Sequence, residues 1–151
     1  MTDDMRQRAQ RVRAAMTRLT GAPWAGALTY RDYGTGEPVT IPADLAVSAA
    51  AGKPDAWSFA YSYPDEPHAN SVTTIALSAD GGQLGDGDVV ACDADGDGVR
   101  LVVARRETGD DRPALIRSTY LIQPGQFTLT KDVQFEGDAA FIERNQYRWS
   151  R

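Results

Sequence analysis

Four short runs in this chain combine residue types and spacings that could do chemistry. Asp93-Ala94-Asp95-Gly96-Asp97-Gly98 places aspartates at alternate positions and a glycine at the sixth, as in the first half of a calcium loop. The twelfth position, which should supply a bidentate glutamate, is Ala104, and the residues after Gly98 alternate like a strand instead of opening a helix. The run therefore reads as a hairpin turn of Asp and Gly. A weak calcium site on Asp93, Asp95 and Asp97, helped by Asp86 or Asp88, is the lesser alternative. Tyr63-Pro64-Asp65-Glu66-Pro67-His68 sets the lone histidine beside two carboxylates, the ingredients of an oriented general base. Adjacent loop residues rarely converge on one substrate, so a proline-stiffened surface loop is the preferred reading. One histidine cannot make a zinc site of the usual three protein ligands. Cys92 ends the apolar segment Val89-Val90-Ala91 and reads as a small buried hydrophobe. As the only cysteine, it excludes an internal disulfide.

The fourth run is Phe141, Glu143, Asn145, Tyr147 and Trp149, which share one face of a final strand. If its aromatics point inward, Glu143 and Asn145 point inward with them. A buried carboxylate needs a partner, and Arg117, on a strand face with Leu115, Thr119 and Leu121, is the candidate. No glycine-rich phosphate loop, serine elbow or Ser-His-Asp order occurs, and no cofactor is expected.

The elements that must position these residues are announced by punctuation. After a helix-like opening, turn signals recur roughly every ten residues, among them Gly34-Thr35-Gly36, Gly52-Lys53-Pro54, Asp80-Gly81-Gly82, Gly109-Asp110-Asp111, Pro124-Gly125 and Glu136-Gly137-Asp138. The segments between them alternate apolar with polar or small residues. The expectation is a mostly-β domain spanning 1–151: an N-terminal helix within residues 1–20, then an antiparallel up-and-down barrel of eight to ten strands over 24–151. Closure is preferred to an open sheet because it removes both exposed edges.

In the helix, Met5, Ala9, Val12, Met16 and Leu19 recur at helical spacing, while the arginines take the other side. A membrane-surface helix is one reading; a helix that plugs or flanks the barrel, with its arginines in water, is preferred. In the clearest strand, Trp57, Phe59, Tyr61 and Tyr63 alternate with Ala56, Ser58, Ala60 and Ser62. Its aromatics would pack the core or line a cavity. If they face outward instead, they would form a homodimer interface. Pro42, between Ile41 and Leu45, marks an edge or a bulge in the second strand.

With 151 residues, 42% hydrophobic and 25% charged, the chain has the composition of an ordinary soluble globular protein. No run approaches a membrane span. The opening residues lack the basic-then-apolar order of a signal peptide, so a cytoplasmic location is expected. Net charge is −5, yet the first eighteen residues hold five arginines against two aspartates, about +3, which leaves about −8 for the remainder. Six aspartates and no base lie between Asp80 and Asp97. An acidic body of this kind argues against nonspecific nucleic-acid binding.

An opening helix, Trp24-Ala25-Gly26 at the start of the first strand, and an arginine-bearing last strand together resemble the calycin group of lipocalin-like barrels. The resemblance implies that Trp24 packs against an arginine late in the last strand, here Arg144 or Arg148, closing the barrel base by a cation–π contact. It departs from lipocalins proper in lacking a disulfide, and from haem-binding calycin-like barrels in lacking a histidine near the C-terminus. It implies a cavity for a small hydrophobic or amphipathic ligand, or a filled barrel. By strand face, the ligand-binding candidates are Tyr30, Tyr61, Arg117, Glu143, Asn145 and Tyr147. Two alternatives stand beside that reading. One is an isomerase, cyclase or lyase using Glu143 as base. The other is an interaction protein with a filled barrel.

Overall fold

The computed structural model describes residues 1–32, 34–109 and 112–151. One helix, α1 (Asp3–Thr17), precedes ten antiparallel strands: β1 (Trp24–Arg31), β2 (Pro38–Ala49), β3 (Ala56–Ser62), β4 (Ser71–Ala76), β5 (Gln83–Leu84), β6 (Gly87–Asp95), β7 (Gly98–Gly109), β8 (Arg112–Gln123), β9 (Gln126–Phe135) and β10 (Ile142–Ser150). The expected end of the first strand at Tyr33 and the turn at Asp110 and Asp111 lie outside the described residues.

The strands pair in the order β4-β3-β2-β1-β10-β9-β8-β7-β6-β5, so the first strand meets the last and the meander curls into a nearly closed up-and-down barrel. The seam falls between β4 and β5. Among the described residues the two sides are joined only near the hairpin, by a Leu77–Leu84 bridge and by the Gly85 and Ser78 amides donating to the Ala76 and Gln83 carbonyls, each at 2.9 Å. The sequence segment from Leu84 to Cys92, expected as one strand, is broken by the tight turn at Gly85 and Asp86 into β5 and β6. Pro42 lies within β2 but outside Asp44–Ala49, the stretch paired with β3, so its missing amide interrupts no bond to that strand.

Register stacks the inward side chains in layers. Val99, Ile122, Phe127 and Trp149 face one another across β7 to β10; the next layer is Leu101, Tyr120, Leu129 and Tyr147; the next is Val103, Ser118, Lys131 and Asn145. The first layer is sealed by Val12, Ala15 and Met16 of α1 and by Leu19 just after it, all buried in one cluster with Trp24, Phe127 and Trp149. Trp57, Phe59 and Tyr61 join the same core, which places the aromatic face of β3 inside. Those rings are therefore not an outward interface; Ser58, Ala60 and Ser62 alternate with them on the other face of β3.

Thr2 caps α1 by accepting from the Met5 amide at 3.2 Å. The helix covers the barrel end that carries the β2–β3, β4–β5, β6–β7 and β8–β9 turns, and its arginines are not simply in water. Arg8 donates twice to the Asp80 carbonyl, at 3.1 and 3.0 Å. Arg13 makes a two-pronged pair with the Asp55 carboxylate at 2.7 and 2.9 Å. Arg18 donates to the Asp97 carbonyl at 2.9 Å. Each arginine ties the helix to a different hairpin. Gly81 makes the approach possible: its φ is +72°, and a Cβ there would lie 2.5 Å from the Ala9 nitrogen.

A cavity at the open end of the barrel

Above the sealed layers the interior is not filled. A cavity of about 630 Å³ is bounded by Tyr61, Leu84, Val103, Tyr120, Leu129 and Tyr147 on its apolar and aromatic side. Ser118, Lys131 and Asn145 form one polar row of its wall, and Arg105 and Asp86 stand there too. Thr73, Thr74, Ile75 and Ala76 of β4 complete it, so the unpaired seam between β4 and β5 borders the cavity along one side.

The base beneath it is a column of rings. Trp24 meets Phe127 edge-on at 5.8 Å, Phe127 meets Trp149 at 5.1 Å, and Trp149 stacks on Tyr147 at 4.7 Å. The column needs Gly26. In register Gly26 lies opposite both Trp149 and Ala43, and the Trp149 indole reaches across β1 to donate to the Ala43 carbonyl at 3.0 Å. A Cβ on Gly26 would sit 1.9 Å from the Arg148 carbonyl oxygen. Tyr147 in turn shares a hydroxyl–hydroxyl bond of 2.6 Å with Tyr63, which ties β10 to the β3–β4 connection across the barrel.

Burial pushes the Tyr120 phenol up to about 12. Burial also raises Tyr61 and Tyr147, the latter helped by its bond to Tyr63. All three stay protonated near neutral pH and serve as hydrogen-bonding groups, not as bases. Lys131 moves the other way. Burial and the neighbouring guanidiniums of Arg105 and Arg144 push its ammonium down, against the carboxylates of Glu107 and Asp86.

At this end the arginines pair with carboxylates. Arg105 lies 3.5 Å from Asp86 and 3.4 Å from Glu107, and Arg144 lies 3.6 Å from Glu107. Arg144 occupies a β-bulge, the one residue of β10 between Glu143 and Asn145 without a partner on β9. Alternation along the strand hides that offset, and this is why sequence reasoning placed Glu143 on the same face as Asn145.

Of the six candidates for ligand contact, Tyr61, Asn145 and Tyr147 line the cavity. Tyr30 pairs with Asn145 in register but does not form the wall. Glu143 is exposed, opposite Asp132. Arg117 alternates with the inward Ile116 and Ser118, so it faces outward; its guanidinium is 3.6 Å from Asp132 and 3.9 Å above the Phe141 ring. The expected Arg117–Glu143 pair is therefore Arg117–Asp132, on the outer surface. Lys131, Arg105 and Asp86, all in the wall, were missed, although alternation from Phe127 through Leu129 already aimed Lys131 inward.

The guanidinium over Trp24 also differs from expectation. It belongs to Arg151, 4.0 Å from the ring, which donates to the carbonyls of Arg18, Thr20 and Ala22 as well. Arg144 sits at Glu107, and Arg148 donates to Gln146. Arg151 lies three residues past Arg148 and seven past Arg144, just beyond the end of β10 at Ser150.

The Asp93–Gly98 run is the β6–β7 hairpin, with Gly96 at a φ of +57° and the Asp97 carbonyl taken by Arg18. Among the described residues, no three His, Cys, Asp or Glu side chains gather as metal ligands. His68 lies exposed in a single 3-10 turn. Cys92 packs against the core, where burial pushes its thiol up. Among the described residues no helix is long and apolar enough to cross a membrane.

No protein-family model matches the chain, and no curated protein matches it in sequence. Among solved structures it is similar to a mutant of the fluorescent protein UnaG, at a TM-score of 0.44 and 12% identity, over 89% of this chain and 96% of that one. The barrel described above rests on strand pairing alone.

Proposed function

We propose that this protein binds a small amphipathic molecule inside its barrel. The observation that carries the reading is the cavity of about 630 Å³, apolar toward the helix and polar toward the open end. Ligand sites are typically about 300–1,000 Å³, with apolar walls and a few placed polar groups. An apolar body would rest on Leu84, Val103, Tyr120 and Leu129, and a polar head would meet Ser118, Asn145 and Lys131. The seam beside β4 is the natural way in, because entry there breaks no ladder hydrogen bond. A base at Glu143 is not supported, since that side chain stands outside the cavity.

Native against denatured mass spectrometry of the purified protein tests the proposal. A reproducible extra mass on the native protein, lost when Leu84→Trp fills the wall, is the expected result. A protein that carries nothing, and takes up none of a panel of medium-chain alcohols, acids and aldehydes, would overturn it.

A further inference from the structure

Around the cavity, Arg105 pairs with Asp86 and Glu107, and Arg144 with Glu107; a further cation stands among them. Lys131 is that cation. Among the described residues nothing accepts a hydrogen bond from its amine or forms an ion pair with it, although it lines the cavity. Its partners in register are Ser118 on β8 and Asn145 on β10, both neutral and both in the cavity wall. Charged groups reach it from β7 (Arg105, Glu107), from the β5–β6 turn (Asp86) and from β10 (Arg144). The phenols of Tyr120 and Tyr147 lie one layer below. A lysine taken partly out of water beside other cations is the arrangement that frees an amine to act as a nucleophile.

We propose that Lys131 captures carbonyl compounds covalently: the barrel holds an aldehyde on an apolar chain, and Lys131 joins it as an imine. This deepens the cavity-binding reading and rests on it. The neutral amine adds to the aldehyde carbon, forming a C–N bond as the carbonyl oxygen takes up a proton. The nitrogen then gives up its remaining protons and the oxygen leaves as water. One amine and one aldehyde yield one imine and one water, with no oxidant or reductant. The burial and cationic neighbours that lower the Lys131 amine raise the fraction of neutral nucleophile near neutral pH. The apolar wall below keeps the alkyl chain in place and limits the water that would reverse the step.

Lys53, in an exposed turn, is the only other lysine, and peptide mapping separates both lysines from the α-amino group. The full-length protein is incubated with decanal and sodium cyanoborohydride at neutral pH, and modified residues are located by peptide mass mapping. Lys131 is expected to be alkylated about tenfold faster than Lys53, because the cavity holds the aldehyde against its amine. Lys131→Arg should abolish the fast adduct while unfolding with the same single cooperative transition as the wild type, which shows the barrel intact; Lys53→Arg should leave the fast adduct in place. Equal labelling of both lysines overturns the proposal. So does an unlabelled Lys131 in a protein that retains decanol, and in that case the binding reading stands. If decanol is not retained and Lys131 is not labelled, both readings fall together.

Discussion

At the helix end, Arg8, Arg18 and Arg151 donate to backbone carbonyls and Arg13 to a carboxylate, so each joins two separate pieces of chain. At the open end, Arg105 and Arg144 pair with side chains around an empty space, and Lys131 pairs with nothing described. The first end is apolar within and has its outer cations tied to turns; the second keeps its charges inside the wall. Cations that hold turns together contribute to stability and leave no room for a ligand. Cations held around a cavity are poorly hydrated and weaken the fold locally, but they meet whatever enters. The contrast divides one barrel into a sealed half and a half built around a cavity.

Substitutions at the two ends should therefore differ in sign as well as size. Trp149→Ala removes the ring on which the aromatic column rests and should destabilise by about 3–5 kcal/mol in denaturant unfolding. A much smaller loss would mean that the sealed end is not the stability core. Next comes Arg151→Ala, which removes the guanidinium over Trp24 and its carbonyl bonds, for about 1–2 kcal/mol given its exposed setting. Lysine at the same position should recover little, because an ammonium cannot both stack and reach three carbonyls.

Lys131→Met, at the other end, should stabilise by on the order of 1 kcal/mol, since it exchanges a partly dehydrated, unpaired ammonium for an apolar chain of similar length. The sign follows from linkage. The folded Lys131 titrates below its unfolded counterpart, so the unfolded state binds more protons and the wild type gains stability as pH rises between the two values. The methionine variant's advantage should be full below the folded value and gone above lysine's ordinary range near pH 10.5. Thermal melts across pH check this, and a destabilised variant would erase the contrast between the ends.

The smallest effect belongs to the Arg13–Asp55 pair, whose side chains are 42% and 30% exposed. Asp55→Asn should cost about 0.5 kcal/mol at neutral pH, the range of screened surface pairs. The Arg13 hydrogen bonds hold the Asp55 carboxyl below its ordinary value. Its contribution is therefore present above the carboxylate's usual range and lost as pH falls through the folded value. Wild type and variant melts should converge in acid, and a constant gap would assign the effect to something other than ionisation.

Much of the barrel was legible in the chain. The apolar spacing of Val12, Met16 and Leu19, the alternation of Trp57, Phe59 and Tyr61, and glycines at the turns are local signals, and each led to the element found. The site was less legible: Tyr30 lies off the cavity wall, Glu143 was placed by extending strict alternation through a bulged strand, and Arg117 sits on the outer face of a regular one. The bulge at Arg144 shifted the register of β10, and Arg117 was placed inward by the wish to satisfy Glu143.

Sequence alone determined the helix, the strand periodicity and the sites of reversal, because propensity, pattern and turn chemistry act over a few residues. It also determined that only two lysines exist and that one follows an inward-facing pattern. Tertiary structure decided which arginine covers Trp24, where the seam lies, and that Lys131 shares a cavity with Arg105 and Tyr147. Those outcomes depend on bulges and on the register between strands far apart in the chain. A one-residue offset there reverses which face a side chain takes, and nothing local to the side chain records it.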